Sequence, residues 1–368
     1  MPSRMLTSLG ALAPVVAFVA CARASSPSRA ALPEETSRGR ADLDATAARQ
    51  DAGAPEAGLP AVTVLVQGLA PSSSVLGLDA TSVYWFDHAR GLLRAPKAGG
   101  APTELWPDAR YARLQEHTSI AIDDANIYMT FDTSDATEPG RQRLLRQTKH
   151  DGTTQVLAQV EGGTIAGVVL DEANAYWIQN GSIMRAAKQG SVRAVRIASG
   201  QMPRPHLAVD DARVYWVSHV DDGNGRFVIR AAPKTGGVAS AVVKNVERTM
   251  ALLVDATNVY WTSGTKVMAA SKTSGAAVQL AEARSWIGSL AIDATHLYFL
   301  VPEETAPMSP EGAVWRVAKD GSSTATLLTT SPKRPTGIAV DADSIFWTSW
   351  GPPKLPYDGT LSKQEKPH

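Results

Sequence analysis

The sequence predicts an all-β fold, a seven-bladed β-propeller with four strands in each blade. Three observations support this prediction. A short motif occurs seven times: an apolar run that ends in Asp, a polar turn, and a strand with an aromatic pair. The copies are spaced by 38 to 48 residues, a period typical of propellers and solenoids. Each copy consists of short apolar runs between turn residues, without a long helical pattern, which favours four-stranded blades.

The strands of one unit are clearest in the fifth copy of the motif. Strand A is Leu252–Val254, strand B is Val259–Thr262, strand C is Val267–Ser271, and strand D is the looser run Ala277–Ala281. Strand C is followed by a lysine and a glycine, which indicate a turn. The copies align on their aspartates, which are Asp79, Asp123, Asp171, Asp210, Asp255, Asp293 and Asp341.

The aromatic pair of strand B is predicted to be core. Neighbouring residues of a strand point to opposite faces, so Tyr260 and Trp261 face opposite ways. Both faces of a propeller blade pack on neighbouring blades, and large side chains are therefore needed on both. The repeated Asp is also predicted to be structural, because an Asp at the start of a tight turn accepts backbone N–H bonds and closes the A–B hairpin.

The two ends of the repeat region predict how the ring closes. The last copy runs through Gly359–Lys363 without a fourth strand, whereas Ala61–Leu69 reads as a strand that precedes the first unit. We expect this N-terminal strand to become strand D of the last blade, which removes exposed sheet edges. The propeller is then expected to span residues 61–363, with residues 364–368 as a frayed tail.

The repeat resembles the YWTD class of β-propellers and, more loosely, the bacterial NHL and TolB repeat proteins. The resemblance covers about residues 61–363 and implies a propeller fold. YWTD propellers usually have six blades, so six blades is the alternative here. The acidic fourth residue of that motif is largely replaced, since Phe131, Gln179, Ser218 and Ser263 stand there. The resemblance therefore implies no receptor-type ligand. The chain also resembles lipid-anchored propellers of Gram-negative bacteria that have no assigned activity.

Residues 1–21 are predicted to be an export signal. Arg4 provides the positive start and Leu9–Ala20 the apolar region. Phe18–Cys21 resembles a bacterial lipobox, although Phe18 replaces the usual Leu, and Cys21 is the single cysteine of the chain. We expect lipidation at Cys21. The alternatives are an ordinary signal cleaved nearby and an uncleaved anchor, for which the apolar stretch is short.

Residues 22–60 are predicted to be a disordered tether. They are rich in Ala, Ser, Pro and charged residues, with few large apolar side chains, and such a composition does not form a core. A flexible coil of this length spans about 35 Å. The predicted location is the bacterial cell envelope, with the protein lipid-anchored in the outer membrane or otherwise secreted or periplasmic. Contact with a membrane is expected only through the lipid anchor.

The charge balance bears on the partners. The chain has 36 Lys and Arg against 36 Asp and Glu, and no polybasic run. We therefore expect no nucleic-acid partner. The protein is expected to be a monomer that binds a protein or glycan partner.

Loop lengths predict where that partner binds. The A–B and C–D turns are short and alike and share one face, whereas the B–C and D–A connections vary and share the other. The D–A connections lead to the mouth of the central channel. Their candidate ligand-binding residues are His117, Arg204, His206, Arg248, Trp286 and Arg334, beside Glu116. Convergence of these side chains suits an anionic or sugar-like ligand; the alternative is a set of separate solvated loop residues.

No catalytic residue, metal ligand or cofactor is predicted. The sequence contains no GxSxG or HExxH motif, and its cysteine lies in the signal. The acidic loops at 132–138 and 221–225 do not match a calcium loop. The predicted function is a binding or scaffolding module that acts through its variable-loop face. The alternative is a channel-mouth enzyme such as a propeller lactonase or lyase. Enzymes of the lactonase type place metal-binding Glu, Asn and Asp residues at the inner strand ends, where this chain has the small residues Ser119, Gly167, Ala251 and Ser289.

Overall fold

The computed structural model confirms the seven-bladed propeller. It describes residues 58–70, 76–87, 89–105, 119–132, 141–189, 193–199, 203–219, 226–302, 311–331, 333–350 and 356–367. These residues form seven antiparallel sheets of four strands each. The six-blade alternative is wrong. The predicted signal, and the predicted tether as far as residue 57, lie outside the described residues. Within the described ranges, no helix has the length and apolar character to cross a bilayer.

Each blade runs from an inner strand A to an outer strand D. Blade 1 contains β2–β5, blades 2 to 6 take the next strands in groups of four, and blade 7 contains β26–β28 and β1. The strands are β1 (Val62–Leu69), β2 (Leu76–Leu78), β3 (Ser82–Asp87), β4 (Gly91–Pro96), β5 (Thr103–Glu104), β6 (Ile120–Ile122), β7 (Asn126–Asp132), β8 (Arg141–Thr148), β9 (Thr154–Glu161), β10 (Ile165–Leu170), β11 (Asn174–Gln179), β12 (Ser182–Ala187), β13 (Val195–Ala198), β14 (Pro203–Val209), β15 (Arg213–His219), β16 (Phe227–Pro233), β17 (Ser240–Val246), β18 (Leu252–Val254), β19 (Asn258–Ser263), β20 (Lys266–Ser271), β21 (Ala277–Glu282), β22 (Ser289–Ile292), β23 (His296–Val301), β24 (Gly312–Ala318), β25 (Thr326–Ser331), β26 (Arg334–Val340), β27 (Ser344–Trp350) and β28 (Gly359–Glu365).

The aromatic pairs pack as expected. Tyr260 lies in a core cluster with Leu297 and Phe299 of blade 6, whereas Trp261 lies in a cluster with Tyr215 and Ile229 of blade 4. The described residues form seven such clusters, one between each two neighbouring blades. The hydrophobic core is therefore a ring of seven interfaces, and the first aromatic of every pair faces the following blade.

The seventh blade contains both ends of the described chain. Strand β1 pairs antiparallel with β28, with Val62 opposite Gln364 and Leu69 opposite Gly359. The side-chain amide of Gln364 donates to the Pro60 carbonyl at 2.8 Å. The N-terminal strand is thus the outer strand of the last sheet.

The end of the chain differs from the expected frayed tail. Strand β28 continues to Glu365, and Gln364 is 2% exposed. Lys366 forms an ion pair with Asp293 at 2.6 Å. The reason is that Gln364 and Glu365 still pair with β27, and Gln364 also pairs with β1. Lys366 then occupies the position that follows strand C in every unit.

Candidate functional site

The repeated aspartates organise the face that carries the A–B and C–D turns, here called the regular face. In blade 5, Asp255 Oδ1 accepts hydrogen bonds from the backbone N–H groups of Thr257 and Asn258 at 3.0 and 2.9 Å. Asp255 Oδ2 accepts the hydroxyl of Tyr260 at 2.8 Å. The predicted structural role of this Asp is confirmed, because one carboxylate closes the turn and fixes the buried tyrosine.

The same carboxylates also join neighbouring blades. The Oδ2 atom of each Asp accepts the ammonium group of the lysine that follows strand C in the next blade, at 2.5 to 3.0 Å. Among the described residues there are seven such pairs: Asp79–Lys149, Asp123–Lys188, Asp171–Lys234, Asp210–Lys272, Asp255–Lys319, Asp293–Lys366 and Asp341–Lys97. Sequence reasoning treated these lysines only as turn markers; their recurrence with the Asp was the signal that it missed.

Each lysine is held in a partly buried position. Lys149 and Asp79 have side chains 11% and 13% exposed, and the Lys149 ammonium lies 4.6 Å from the centroid of the Tyr84 ring. Burial raises the pKa of Asp79, but hydrogen bonds from Lys149 and Tyr84 outweigh it and leave that pKa well below its usual range. Burial and the hydrogen bond to Asp79 raise the pKa of Tyr84. The repeated charges of the regular face therefore pair with one another across the blade interfaces.

Arginines of strand C add a second contact between some blades. Arg185 donates to the carbonyl of Lys234 at 2.9 Å, and Arg316 donates to the carbonyl of Pro367 at 3.2 Å. Lys234 lies in the C–D turn of the following blade, and Pro367 follows strand C of blade 7 at the corresponding end. These contacts fix the end of strand C relative to the preceding blade.

Three candidate residues lie at the start of inner strands in consecutive blades, on the opposite face, here called the variable-loop face. Arg248 precedes β18 in blade 5 and is exposed. Trp286 precedes β22 in blade 6, and its side chain is 37% exposed. Arg334 is the first residue of β26 in blade 7, where its guanidinium lies 5.9 Å from the ring of Trp350. Trp350 was not predicted, because it belongs to the end of a B strand and not to a D–A connection.

The other candidate residues are placed differently. His206 lies inside strand β14 and is 7% exposed, so it belongs to the wall of blade 4 and not to a connection. Arg204 lies on the same strand, and its side chain is outside the described part of the structure. Glu116 and His117 also lie outside the described residues.

Buried hydroxyl groups at the inner strand ends already have backbone partners. Thr130 Oγ1 accepts the backbone N–H of Ser119 at 2.8 Å, and Ser119 Oγ accepts the N–H of Val168 at 2.9 Å. In blade 5, Thr262 Oγ1 accepts the N–H of Met250 at 2.9 Å. These hydroxyls accept backbone N–H groups of strand A or of the residues just before it. Within the described ranges, no three His, Cys, Asp or Glu side chains are grouped to hold a metal ion.

No family model and no curated protein matches the chain. Solved structures do match. One is the extracellular domain of a hybrid two component system from B. thetaiotaomicron, with 12% identity, 82% of this chain and 39% of that chain covered, and a TM-score of 0.58. Another is a puromycin-hydrolyzing peptidase from Mycobacterium tuberculosis, with 15% identity, 78% and 52% covered, and a TM-score of 0.57. A third is PorZ, a bacterial surface component of the type-IX secretion system of Porphyromonas gingivalis, with 11% identity, 78% and 36% covered, and a TM-score of 0.51.

This chain spans less than two-thirds of the length of each of these three structures. At these identities the likeness concerns the fold alone. The chain has the propeller fold that its resemblance to the YWTD, NHL and TolB repeat proteins implied.

Proposed function

We propose that the protein is an exported β-propeller, lipid-anchored at Cys21, that binds a protein or glycan partner through its variable-loop face. The observation that carries this proposal is the difference between the two faces. On the regular face, the repeated Asp and Lys residues neutralise one another in every blade. On the variable-loop face, Arg248, Trp286 and Arg334 do not repeat and are partly or fully accessible. Non-repeating residues on a rigid scaffold are where binding usually resides.

The path of the chain supports the same choice of face. Pro60 is fixed by Gln364, and Val62 pairs with the same residue, next to the Lys366–Asp293 ion pair. The chain therefore joins the propeller on its regular face. A tether that ends there leaves the variable-loop face on the side of the propeller opposite the point of attachment. A similar solved structure described as an extracellular domain supports export.

A binding screen tests the proposal. The purified chain is used in a pull-down from envelope extracts and on a glycan array. We expect a partner whose binding is lost in the double variant Arg248→Ala/Arg334→Ala. The matched control is Arg196→Ala, which removes an exposed arginine from β13 on the outer edge of blade 3. A partner that binds both variants equally well contradicts the assignment of the face, and the absence of any partner contradicts the binding role.

Lipidation is tested separately. Expression in a Gram-negative host with radiolabelled palmitate is expected to label the wild-type chain and not the Cys21→Ser variant. Equal labelling of both chains, or of neither, contradicts the anchor. The binding proposal does not depend on this result, because the variable-loop face is the same in a secreted protein.

A further inference from the structure

We infer that the propeller contains an acid-sensitive latch, in which protonation of His296 in blade 6 weakens the attachment of residues 365–367 of blade 7. These residues, here called the latch, end strand C of blade 7 and lie against blade 6. The inference concerns how one contact between blades responds to pH, and it is independent of the proposed binding role.

His296 occupies a position at which the other blades have a different kind of side chain. This position is the third after the repeated Asp, and its backbone N–H donates to that carboxylate in all seven A–B turns, which lie within the described residues. The residues that occupy it are Ser82, Asn126, Asn174, Arg213, Asn258, His296 and Ser344. Among these side chains, the imidazole alone changes its charge between about pH 5 and pH 8. Blade 6 therefore carries a titrating group at this position of the repeat.

The ion pair next to this imidazole contains a lysine that the chain supports on one side. In the other six blades the paired lysine is followed by strand D of the same blade, whereas β1 takes that place after Lys366. Lys366 is attached through its ion pair with Asp293 at 2.6 Å and through its backbone N–H, which donates to the carbonyl of Asp343 at 2.8 Å. Arg316 donates to the Pro367 carbonyl at 3.2 Å. A segment held in this way opens locally at a lower cost than a strand in the middle of a sheet.

The imidazole and the Lys366 ammonium share their surroundings. Asp293 Oδ1 accepts the backbone N–H of His296 at 2.8 Å, and Oδ2 of the same carboxylate accepts the Lys366 ammonium at 2.6 Å. The centroid of the Tyr298 ring lies 6.3 Å from that of the imidazole and 5.2 Å from Lys366 Nζ. A hydrogen bond of 2.8 Å between His296 Nδ1 and Thr295 Oγ1 orients the imidazole. A charge on the imidazole is therefore placed beside the carboxylate that holds the latch.

The charged and titratable groups around this turn come from blade 6 and from the latch. They are Asp293, Tyr298, Arg316, Lys319, Asp320, Glu365 and Lys366. Two of them are paired with other groups, since Lys319 forms an ion pair with Asp255 of blade 5 and Glu365 forms one with Lys363. Residue 368 lies outside the described part of the chain.

Cations prevail over carboxylates at the imidazole. Burial of the ring, followed by the charge of Arg316, lowers the pKa of His296, and Lys366 acts in the same direction. Asp293 and the exposed Asp320 raise this pKa without cancelling the shift. When the latch leaves, the repulsion from Lys366 is lost and Asp293 remains next to the imidazole. The open state therefore binds the proton more strongly than the attached state, and by linkage protonation favours opening.

The latch is expected to be attached most strongly when His296 is neutral. Because the pKa of His296 is lowered in the attached state, the contribution of the neutral imidazole is fully present above about pH 6.5 and is lost as pH falls further. Burial raises the pKa of Asp293, but hydrogen bonds from Lys366 and from the backbone of the turn outweigh it, so this carboxylate stays ionised. The imidazolium can then take the place of the Lys366 ammonium as the cation beside Asp293.

Opening of the latch affects the place where the N-terminal chain joins the propeller. Gln364, the residue before the latch, donates from Nε2 to the carbonyl of Pro60 at 2.8 Å and to that of Leu328 in blade 6 at 3.4 Å. Val62 of β1 pairs with the same residue. Loosening of the latch therefore acts on the contact between blades 6 and 7, beside the predicted tether.

Hydrogen exchange of the full chain, followed by mass spectrometry, tests the inference. The reporter is the Lys366 amide, and its protection factor, which is corrected for the intrinsic exchange rate, is compared at about pH 7.5 and about pH 5.5. We expect protection in the wild type to fall at least about threefold at the lower pH, because the open state takes up the proton. In His296→Asn, which introduces the residue type found in blades 2, 3 and 5, we expect no fall. Lys366→Met is expected to show low protection at both pH values.

The control amide separates a local latch from unfolding of the whole ring. It belongs to Lys272, which donates to the Thr257 carbonyl at 3.0 Å in the same position of blade 5. Constant protection of Lys272 in all three chains, together with the loss at Lys366 in the wild type, supports the latch. A parallel fall at Lys272 overturns it. Equal falls at Lys366 in the wild type and His296→Asn overturn the role of the imidazole, and a wild-type value that does not change with pH overturns the switch. A fall of wild-type size in Lys366→Met overturns the ion pair as the point of attachment.

Discussion

Lys97 of the first blade donates to Asp341 of the seventh blade at 2.7 Å, across 244 positions of sequence. The ion pair that joins the other neighbouring blades thus also closes the ring. The two side chains are 17% and 26% exposed. The exposure of this pair is therefore intermediate. Exposed ion pairs stabilise a protein by up to about 1 kcal/mol, whereas disruption of a buried ion pair costs about 3–5 kcal/mol. We expect Lys97→Met to lower the free energy of unfolding by about 1–3 kcal/mol, measured by urea titration.

The control for this prediction is an exposed pair within one blade. Arg90 and Glu104 lie 2.8 Å apart, with side chains 39% and 40% exposed. Arg90→Met is expected to change the free energy of unfolding by about 0.5 kcal/mol or less. A double-mutant cycle of Lys97→Met with Asp341→Asn isolates the coupling. Equal losses for Lys97→Met and Arg90→Met would contradict a special role for the closing pair.

The pH dependence of stability follows from the same groups. Burial raises the pKa of Asp341, but the hydrogen bonds from Lys97 and the Ser344 N–H outweigh it, so the folded pKa is lower than the unfolded one. The contribution of Asp341 to the free energy of unfolding is therefore fully present above about pH 4 and is lost as pH falls further. Burial and Asp79 raise the pKa of Tyr84, so its contribution is fully present below about pH 10 and is lost as pH rises further.

For these groups we expect a plateau of stability between about pH 4 and pH 10. The measurement is the urea midpoint from pH 2 to pH 11. Asp341→Asn is expected to show a shallower loss below pH 4, because one of the titrating carboxylates is absent. A wild-type midpoint that stays constant down to pH 2 is incompatible with carboxylates whose ionised form is stabilised by folding.

The repeat made the fold predictable, and the contacts between repeats were harder to predict. Alternation in Tyr260–Trp261 was enough to predict two buried faces, and the turn position of Asp255 was enough to predict its backbone hydrogen bonds. The partner of Lys319 was not predictable in this way. A repeated Lys and a repeated Asp have the same period whether they pair within one blade or between neighbouring blades. Only the relative position of the blades in three dimensions determines which Asp each Lys contacts. The candidate site depends on residues that do not repeat, and periodicity says nothing about their distances.

The opposite orientation of the aromatic pair predicts which blades are energetically coupled. Trp261 packs with Ile229 of blade 4, whereas Leu297 of blade 6 lies in the cluster of Tyr260. We expect the double-mutant cycle of Trp261→Phe with Ile229→Val to give a coupling energy of about 0.5–1 kcal/mol. The control cycle of Trp261→Phe with Leu297→Ala is expected to be additive within about 0.5 kcal/mol. Coupling of equal size in the two cycles would contradict separate interfaces.

The hydroxyl of Tyr260 gives a smaller and separate effect. This hydroxyl donates a hydrogen bond to the Asp255 carboxylate at 2.8 Å, and the same carboxylate forms the ion pair with Lys319. Tyr260→Phe keeps the buried ring and removes one hydrogen bond to a charged group, so we expect a loss of about 1–3 kcal/mol in urea unfolding. The matched variant is Phe346→Tyr at the same position of blade 7, where Lys97 lies 5.7 Å from the ring centroid. Because Asp341 is five residues earlier, as in the other blades, the added hydroxyl is expected to stabilise the protein; destabilisation by Phe346→Tyr would contradict the equivalence of the two positions.

Two N-terminal deletions separate the tether from the strand that completes the last blade. Deletion of residues 1–57 keeps the Gln364–Pro60 hydrogen bond and all of β1, so we expect the urea midpoint to remain unchanged. Deletion of residues 1–69 removes Val66 and Leu69 from the core between blades 7 and 1 and leaves β28 with an unpaired edge. An exposed edge of this length pairs with other chains, and we expect the shorter protein to aggregate in size-exclusion chromatography. Loss of stability in the first deletion would make residues 1–57 part of the fold, whereas a stable monomer after the second would show that the ring holds together without β1.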